Sequence, residues 1–269
     1  MSEKFFRVPN LHTHTFLCRH AEGSPDDLCK AAAQYTNIIG ISDHGPFPDD
    51  RYFQASMFYD QLTDYTALIR EAREKNPDMT VLSALEIEWC EDMGSSYYTD
   101  ELLGRHRLDY LVGSAHYSGF NLDRQVHFFD YKPTASALKG FCDVTLKLIS
   151  SGIFTIIAHP DAFMVPFTEV TSEHEAIFSE IISAAAESGV ALELNANGLR
   201  GKRAYPCRRL WEMAADNGKV KVVVNSDSHR LEHLYDDAFA AAIDLADELG
   251  IKICNEEIAQ KIIEGRKNE

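Results

Sequence analysis

Seven histidines, one glutamate and one aspartate lie near the ends of six of the seven strand-like runs in this chain. In chain order they are His12, His14, His20, His44, Glu86, His116, His159, Asp227 and His229. Imidazole nitrogens and carboxylate oxygens are ligands that divalent transition metals bind readily in proteins. If the strand ends meet in the fold, these side chains can surround a cluster of such ions.

The spacing of the candidates at the two ends of the chain supports a shared role. His12 and His14 are two residues apart at the end of a strand, so both side chains point to one face. Asp227 and His229 repeat this spacing after the last strand. Together with His20, these pairs predict a metal site to which both ends of the chain contribute.

Two positions leave a choice between neighbouring residues. After the second strand, Asp43 and His44 stand side by side, and one can bind the metal while the other supports it through a hydrogen bond. In the third strand, Glu86 and Glu88 share a face. A buried carboxylate is costly unless it is paired or bound to a metal, so one of these two is expected to be a ligand. Glu86 is closer to the strand end.

The other histidines and one cysteine are expected to play lesser parts. His106, His174 and His233 are expected outside the site, in a basic surface run, near a helix start and on an outward helix. His127 stands in a loop that could fold over the site. Cys18 is expected to approach the metals without binding them. The six cysteines form no CxxC pair, which is typical of thiols rather than of a disulfide framework.

The elements that must position these residues are apolar, β-branched runs with helical stretches between them. The runs, among them IIGIS, TVLSALEI and KVKVVVN, are continuous rather than alternating, as is typical of strands buried on both faces of a parallel sheet. The predicted strands cover residues 8–12, 38–42, 80–86, 109–115, 154–158, 190–194 and 220–226. The predicted helices cover about residues 24–35, 57–75, 134–150, 172–187, 206–217, 235–249 and 255–264. Gly152, Gly189, Gly218 and Gly250 follow four of them as C-terminal stop signals.

Seven strands alternating with helices predict a single-domain α/β architecture over residues 1–269. No glycine-rich phosphate fingerprint follows the first strand. Ligand candidates follow the first five strands and the seventh, and so many strand ends converge only at the C-terminal face of a barrel. We therefore predict a barrel of about seven strands, with residues 46–57 and 117–133 as substrate loops.

The motifs HxHTxxxxxH, xDH, Glu, GSxH, HP and SDxH, in this order, resemble the PHP (polymerase and histidinol phosphatase) superfamily over essentially the whole chain. The length and the lack of a fused domain most resemble the stand-alone histidinol-phosphate phosphatases. The resemblance implies a distorted (β/α)7 TIM-like barrel that holds three divalent metal ions (Zn, Fe or Mn) at the C-terminal end of its strands. It assigns all nine candidates as ligands, His44 and Glu86 included.

The implied activity is hydrolysis of a small phosphate monoester by a metal-bridging hydroxide, with L-histidinol phosphate as the leading substrate. We hypothesise that one ion is held by His12, His14, Glu86 and Asp227, a second by His20, His44 and His229, and a third by Glu86, His116 and His159. The segments GPFPDDRYFQASM and NLDRQVHFFD depart from many members of the family. Such loops select the substrate, so the departure concerns the substrate and not the metal chemistry. The alternatives are a broad-specificity phosphatase, a PHP-type phosphodiesterase or nuclease, against which the acidic charge counts, and a non-catalytic metal-binding scaffold, against which the complete ligand set counts.

Protein side chains are expected to complete the site. His229 is counted as catalytic as well as a ligand. Asp161, in the sequence HPD, could protonate the leaving oxygen or only stabilise a turn. Arg200, in NANGLRGKR, is placed to bind phosphate oxygens, with Arg203 as its substitute. Asn195, on the strand without a ligand, could orient the substrate.

Charge limits the partners of the chain. It carries 26 basic and 42 acidic residues, a formal net charge of −16. Three divalent ions would leave about −10, which repels a polyphosphate backbone, so a small phosphate ester is expected rather than nucleic acid. With no run of about 18 apolar residues and no signal-like N-terminus, we expect no membrane contact and a cytoplasmic location. The sequence does not predict an oligomeric state.

Overall fold

A sheet of six parallel strands forms the centre of the fold. The computed structural model describes residues 8–119, 126–130, 132 and 134–267. The strands are β1 Ile38–Ile41, β2 Thr80–Ile87, β3 Tyr110–Gly113, β4 Ile156–Ile157, β5 Ala191–Asn195 and β6 Lys221–Asn225. They are hydrogen-bonded in chain order, and every neighbouring pair is parallel. These six correspond to the second to seventh predicted strands.

The first predicted strand, residues 8–12, contacts both edges of the sheet without forming a regular strand. Asn10 pairs in parallel with Ile39 of β1, and Thr13 pairs with Ser228, which follows β6. The amide of His14 also donates to the carbonyl oxygen of Ser228 at 3.0 Å. The sheet is therefore curled, so that its first and last strands reach the same short segment. The predicted α/β class is confirmed, and the six parallel strands form a curled half-barrel.

Helices follow the strands as predicted, with two additions. They are α1 Pro25–Ala32, α2 Leu62–Lys75, α3 Gly94–Ser96, α4 Ala135–Ser150, α5 Ser172–Ser188, α6 Ala196–Arg200, α7 Arg208–Asn217, α8 Asp237–Glu248 and α9 Asn255–Lys267. The sequence does not predict α3, which continues as a π-helix over Tyr97–Arg105, or the short α6. The helix stop signals are confirmed by four glycines with positive φ: Gly152, Gly189, Gly218 and Gly250.

Both faces of the sheet are buried, because successive side chains of a strand point to opposite faces. One face packs against most of the helices and includes Ile39, Leu85, Leu111, Leu192 and Val224. The other face packs against α9 and includes Ile38, Leu82, Ala84, Tyr110, Val112, Ile156, Ala191 and Val223. The continuous apolar runs in the sequence are explained by this two-sided burial.

The two predicted substrate loops contact each other. The ring of Tyr52 stacks on that of Tyr117 with centroids 4.7 Å apart, and Tyr117 forms an antiparallel backbone pair with His127. Residues 120–125, 131 and 133 of the second loop lie outside the described residues. Within the described ranges, no helix has the length and apolar character needed to cross a membrane.

Candidate metal centre

Polar side chains occupy the α9-facing side of the sheet at the C-terminal ends of its strands. Glu86 and Glu88 follow Ala84 at two-residue steps on and just after β2, and Glu193 follows Ala191 on β5. All three carboxylates are buried. Since a buried carboxylate is costly without a cationic or hydrogen-bonding partner, this end of the sheet must supply such partners.

Glu86 lies at the centre of a group of imidazoles. Its Oε2 is 3.0 Å from Nδ1 of His44, 3.2 Å from Nε2 of His12 and 3.6 Å from Nε2 of His14. Its Oε1 is 3.1 Å from Nε2 of His159 and 3.5 Å from Nε2 of His116. Of the two neighbouring pairs, Glu86 and His44 are the members that face the centre.

Asp227 joins the remaining predicted residues to this group. Its Oδ1 lies 3.2 Å from Nε2 of His14 and 3.5 Å from Nδ1 of His229. The ring of His229 stacks on that of His14, with centroids 4.2 Å apart, and lies 4.6 Å from the ring of His20. The structure thus brings all nine predicted side chains into one cluster.

Several subsets of this cluster have the spacing that an ion requires. Within each subset, one ligand atom from every member lies within 4.8 Å of the others: His12, His14 and Glu86; His20, His44 and His229; His44, Glu86 and His116; His14, Cys18 and His229. Cys18 is buried beside the cluster, as its sequence position suggested.

Most of the rings are held in one orientation by an oxygen at Nδ1. Nδ1 of His116 lies 2.5 Å from the Glu88 carboxylate, and Nδ1 of His12 lies 2.8 Å from Glu193. Nδ1 of His20 is 2.8 Å from the carbonyl oxygen of Cys18. The carbonyl oxygen of Cys18 only accepts, and Oε1 of Glu193 also accepts from Asn225. Nδ1 of His20 and of His12 therefore carries the proton, and the Nε2 lone pair of each ring is available to a metal.

The polar atoms at the centre fit a metal ion. Within the described part of the chain, buried atoms without a hydrogen bond of acceptable geometry include Nε2 of His12, both ring nitrogens of His14, Oε2 of Glu86 and Nε2 of His229. Buried polar atoms are almost always partnered, and each exception requires an explanation. Nitrogen and carboxylate donors pointing at a common centre are satisfied by divalent zinc, iron or manganese.

The protonation states of the histidines also favour a bound metal ion. Burial lowers the pKa of His14 well below its usual value, with a contribution from neighbouring imidazoles, and burial lowers the pKa of His229 to about 4. Both rings are neutral at pH 7, the form that binds metals. Burial also lowers the pKa of His12, but Glu193 and Glu86 outweigh this effect and raise it well above the usual value. The surroundings of His12 therefore favour a positive charge, which a metal ion can supply.

Two candidate ligands have unusual backbone conformations. His159 has φ of 27° and Asp227 has φ of 47°, a region that residues with a side chain seldom adopt. Such strain persists only where the surrounding structure imposes it, and it concentrates at functional sites. Both side chains are therefore held in place by their loops.

A cavity of about 360 Å³ opens above the cluster. Its floor includes Glu86, Asp227 and several candidate histidines, and its walls include Phe47, Tyr52, Ala55 and Ser56 from the first loop and Tyr117, His127, Phe128 and Phe129 from the second. The size is in the range of small-molecule sites. Both loops thus line the cavity.

Arg200 does not point into the cavity. Its guanidinium donates to the Asp236 carboxylate at 2.6 Å and to the carbonyl oxygens of Ser226 and His233. The predicted phosphate contact of Arg200 is therefore not supported, since these internal acceptors engage it at the end of α6. Arg203, the predicted substitute, lines the cavity and stacks over the Phe129 ring at 4.3 Å.

Asp161 and Asn195 also support the structure instead of facing the cavity. Oδ2 of Asp161 accepts from the amide of Cys207 at 2.6 Å and from Nε1 of Trp211 at 3.1 Å. The amide group of Asn195 donates to Oδ2 of Asp227 at 3.1 Å. Neither residue lines the cavity. The contacts of Asp161 favour a structural role, in which it joins two distant segments rather than its own turn, and Asn195 contacts a candidate ligand.

Asp161→Asn should leave hydrolysis within about tenfold of wild type, whereas a general acid typically contributes about 10²–10⁴-fold. Asp161→Ala should cost about 1–3 kcal/mol of folding stability, because it leaves two buried donors unpaired.

Burial raises the pKa of Asp161 from 3.8 to about 6, so its ionisation lowers wild-type stability as pH rises through that window. The stability of the Asn variant relative to wild type should therefore increase from pH 4 to 6. Thermal unfolding and initial rates test these outcomes, and a loss of 10²-fold or more in Asp161→Asn would restore the acid role.

Two of the lesser candidates lie away from the cavity and two line it. His174 belongs to the N-terminal capping box of α5, and His106 lies 3.3 Å from Glu101. His127 and His233 both line the cavity, so the expectation that His233 points outward is wrong. The sequence analysis missed Glu193, whose only signal is an acidic residue in the apolar run VALEL.

Fold and cluster together define a class of protein: a curled parallel α/β sheet with a cluster of histidines and carboxylates at its strand ends that fits divalent metals. The model of the PHP domain family matches residues 10–197. The chain belongs to the PHP domain family, and the predicted resemblance is confirmed. A single domain over residues 1–269 stays a prediction.

The chain is similar to one phosphatase in sequence and to two solved phosphatases in structure. A protein of Deinococcus radiodurans named "Probable histidinol-phosphatase" is 28% identical over 230 residues, covering 81% of this chain and 85% of that protein. The histidinol phosphate phosphatase of Lactococcus lactis, solved with zinc, L-histidinol and phosphate, has a TM-score of 0.72 at 19% identity, covering 92% and 95% of the two chains. A structure from work on metal-dependent tyrosine phosphatases of Bacillus subtilis and Streptococcus pneumoniae has a TM-score of 0.50 at 16% identity, covering 94% and 92%. Family and names agree with the predicted class, a metal-dependent phosphatase.

Proposed function

We propose that this chain is a metal-dependent phosphatase that hydrolyses a small phosphate monoester, with L-histidinol phosphate as the leading substrate. The observation that carries the proposal is the convergence of seven imidazoles, Glu86 and Asp227 beside a cavity of about 360 Å³. The name of the Deinococcus relative and the ligands of the Lactococcus structure support the choice of substrate.

The difficulty of the reaction favours a centre with several ions. Enhancements of phosphate monoester hydrolysis approach ~10²¹, which corresponds to about 29 kcal/mol at about 1.36 kcal/mol per decade. One general base contributes only about 10²–10⁴. Bound divalent ions lower the pKa of a coordinated water and compensate charge on phosphoryl oxygens.

We assign three divalent ions, Zn, Fe or Mn, to this centre. The first takes His12, His14, Glu86 and Asp227, the second His20, His44 and His229, and the third Glu86, His116 and His159. The first two assignments are supported by the close spacing of their nitrogens and carboxylate oxygens. The third is supported by the two imidazoles that face Oε1 of Glu86. In the same proposal, residues 8–14 lie between the two edges of the six-stranded sheet and supply the additional strand that a (β/α)7 barrel requires.

The walls of the cavity suit the two parts of the substrate. Arg203 offers a guanidinium for phosphate oxygens. The ring of Tyr117 contacts two others: its centroid is 4.7 Å from that of Tyr52 and 5.1 Å from that of His127. This aromatic wall fits a flat ring such as the imidazole of histidinol and excludes water from the reacting phosphate.

Rates on five substrates and a metal analysis test the proposal. L-histidinol phosphate should be hydrolysed with a higher kcat/KM than p-nitrophenyl phosphate, phosphotyrosine, a dinucleotide or single-stranded DNA, and the purified protein should contain more than two equivalents of Zn, Fe or Mn. Faster cleavage of the dinucleotide or the DNA would establish the phosphodiesterase alternative. Equal rates on all monoesters would indicate a broad-specificity phosphatase, and metal content without hydrolysis would indicate a scaffold.

A further inference from the structure

Glu193 is a buried carboxylate on β5, which among the six described strands is the one that contributes no candidate metal ligand. Its side chain is 0% exposed. Oε1 accepts from Nδ1 of His12 at 2.8 Å and from the side-chain amide of Asn225 at 2.9 Å. Oε2 accepts from the side-chain amide of Asn195 at 2.8 Å and from the backbone amide of His159 at 3.1 Å. Four donors converge on one carboxylate, and three of them come from elements other than β5.

These contacts connect Glu193 with three candidate ligands from three parts of the chain. It contacts the ring of His12 and the backbone of His159 directly. It reaches Asp227 through Asn195, whose amide group donates to Glu193 at 2.8 Å and to Oδ2 of Asp227 at 3.1 Å. One side chain therefore influences the relative positions of ligands that are far apart in sequence.

We propose that Glu193 is the positioning residue of the metal centre: it holds His12 with the proton on Nδ1 and fixes His159 and Asp227 relative to that ring. This inference rests on the proposed function, because it assumes that the cluster binds metal. An ionised carboxylate accepts only, so the His12 ring donates from Nδ1 and directs the lone pair of Nε2 toward Glu86 and Asp227. Glu193 does not line the cavity in the described residues, so it acts through the ligands and not on the substrate.

Glu193→Gln tests this role because it keeps the size of the side chain and changes its chemistry. Four donors face the Glu193 carboxylate, and glutamine offers only one acceptor oxygen. Its amide group would replace the other oxygen and place N–H groups opposite the donors that this oxygen accepts from. Loss of an outer partner of a metal ligand typically costs 10–100-fold in metal affinity. We expect Zn²⁺ to bind about 10–100-fold more weakly, measured by competition with a chromophoric chelator. The KM for substrate at saturating Zn²⁺ should stay within about twofold of wild type.

A second buried carboxylate supplies the matched control. Asp109 precedes β3 at the opposite end of the sheet and accepts from Arg73, Ser83 and Arg266. Asp109→Asn should lower the thermal stability and leave Zn²⁺ affinity unchanged. If Glu193→Gln fails to fold, Glu193→Asp keeps the charge, shortens the reach to His12 and should show an intermediate loss of affinity.

The outcomes separate this inference from the proposed function. Wild-type affinity for Zn²⁺ in folded Glu193→Gln or Glu193→Asp would overturn the inference, and so would an equal loss in Asp109→Asn. Either result would leave the phosphatase proposal intact. If wild type binds Zn²⁺ but hydrolyses no phosphoester, the proposed function fails while weaker binding by Glu193→Gln still supports the positioning role.

Discussion

His14→Ala should lower kcat/KM for the phosphate monoester by at least about 10³-fold. The ring is fully buried, and its Nε2 lies between Glu86 at 3.6 Å and Asp227 at 3.2 Å. A catalytic metal contributes several kcal/mol to the transition state, and about 1.36 kcal/mol corresponds to a factor of ten in rate. Steady-state hydrolysis and elemental analysis of the same preparation should show the loss of activity together with the loss of about one ion.

His174→Ala is the matched control for this variant. His174 is also buried, at 2% exposure, but its Nδ1 accepts from the amide of Thr171 at 3.0 Å at the start of α5. Its loss should cost about 1 kcal/mol through the cap and leave hydrolysis and metal content unchanged. Near-native hydrolysis by His14→Ala, at full metal content, would remove His14 from the centre.

The convergence of the candidate ligands was predictable from local sequence. Most candidates lie at or just after the end of an apolar run that is too continuous for a half-exposed strand, and parallel strands place their C-terminal ends at one edge. Residues two apart in an extended segment point to the same face, so His12 and His14 share one direction and Glu86 and Glu88 share another. The first strand was predicted less well, because residues 8–14 are held by bridges such as Asn10–Ile39 and not by a continuous ladder.

The residues around the ligands could not be predicted in the same way. Arg200 and Arg203 are three positions apart in one basic run, and only the end of α6 decides that Asp236 engages the first. The carboxylate of Asp161 is occupied by Trp211, 50 residues further along the chain. Glu193 contacts His12 across 181 residues. Such pairings depend on the tertiary packing of separate elements, for which a single sequence offers no periodicity or spacing.

Glu86→Gln should have the larger effect of the two ligand substitutions, about 10⁴-fold or more in kcat/KM, because its carboxylate is shared between two of the three proposed ions. Burial raises the pKa of this group, but the imidazoles of His12 and His44 outweigh that effect and hold it well below its usual value. The carboxylate is therefore ionised at pH 7. Glutamine removes this charge and turns one oxygen into a donor that opposes a cation. Elemental analysis should find at least one ion fewer than in wild type, and His14→Ala provides the comparison for the loss of rate.

Thermal unfolding with and without Zn²⁺ separates a lost ligand from a damaged fold. A ligand that binds only the native state stabilises it by about 2.7 kcal/mol at a concentration 100 times its dissociation constant. Wild type should therefore show a higher Tm with Zn²⁺, and so should Glu74→Gln, which changes an exposed glutamate on α2. Glu86→Gln should unfold cooperatively with a much smaller shift, because its site lacks the charge that binds the ion. A shift equal to that of wild type would mean that the imidazoles hold the metal without Glu86, and the third proposed site would then have no carboxylate ligand.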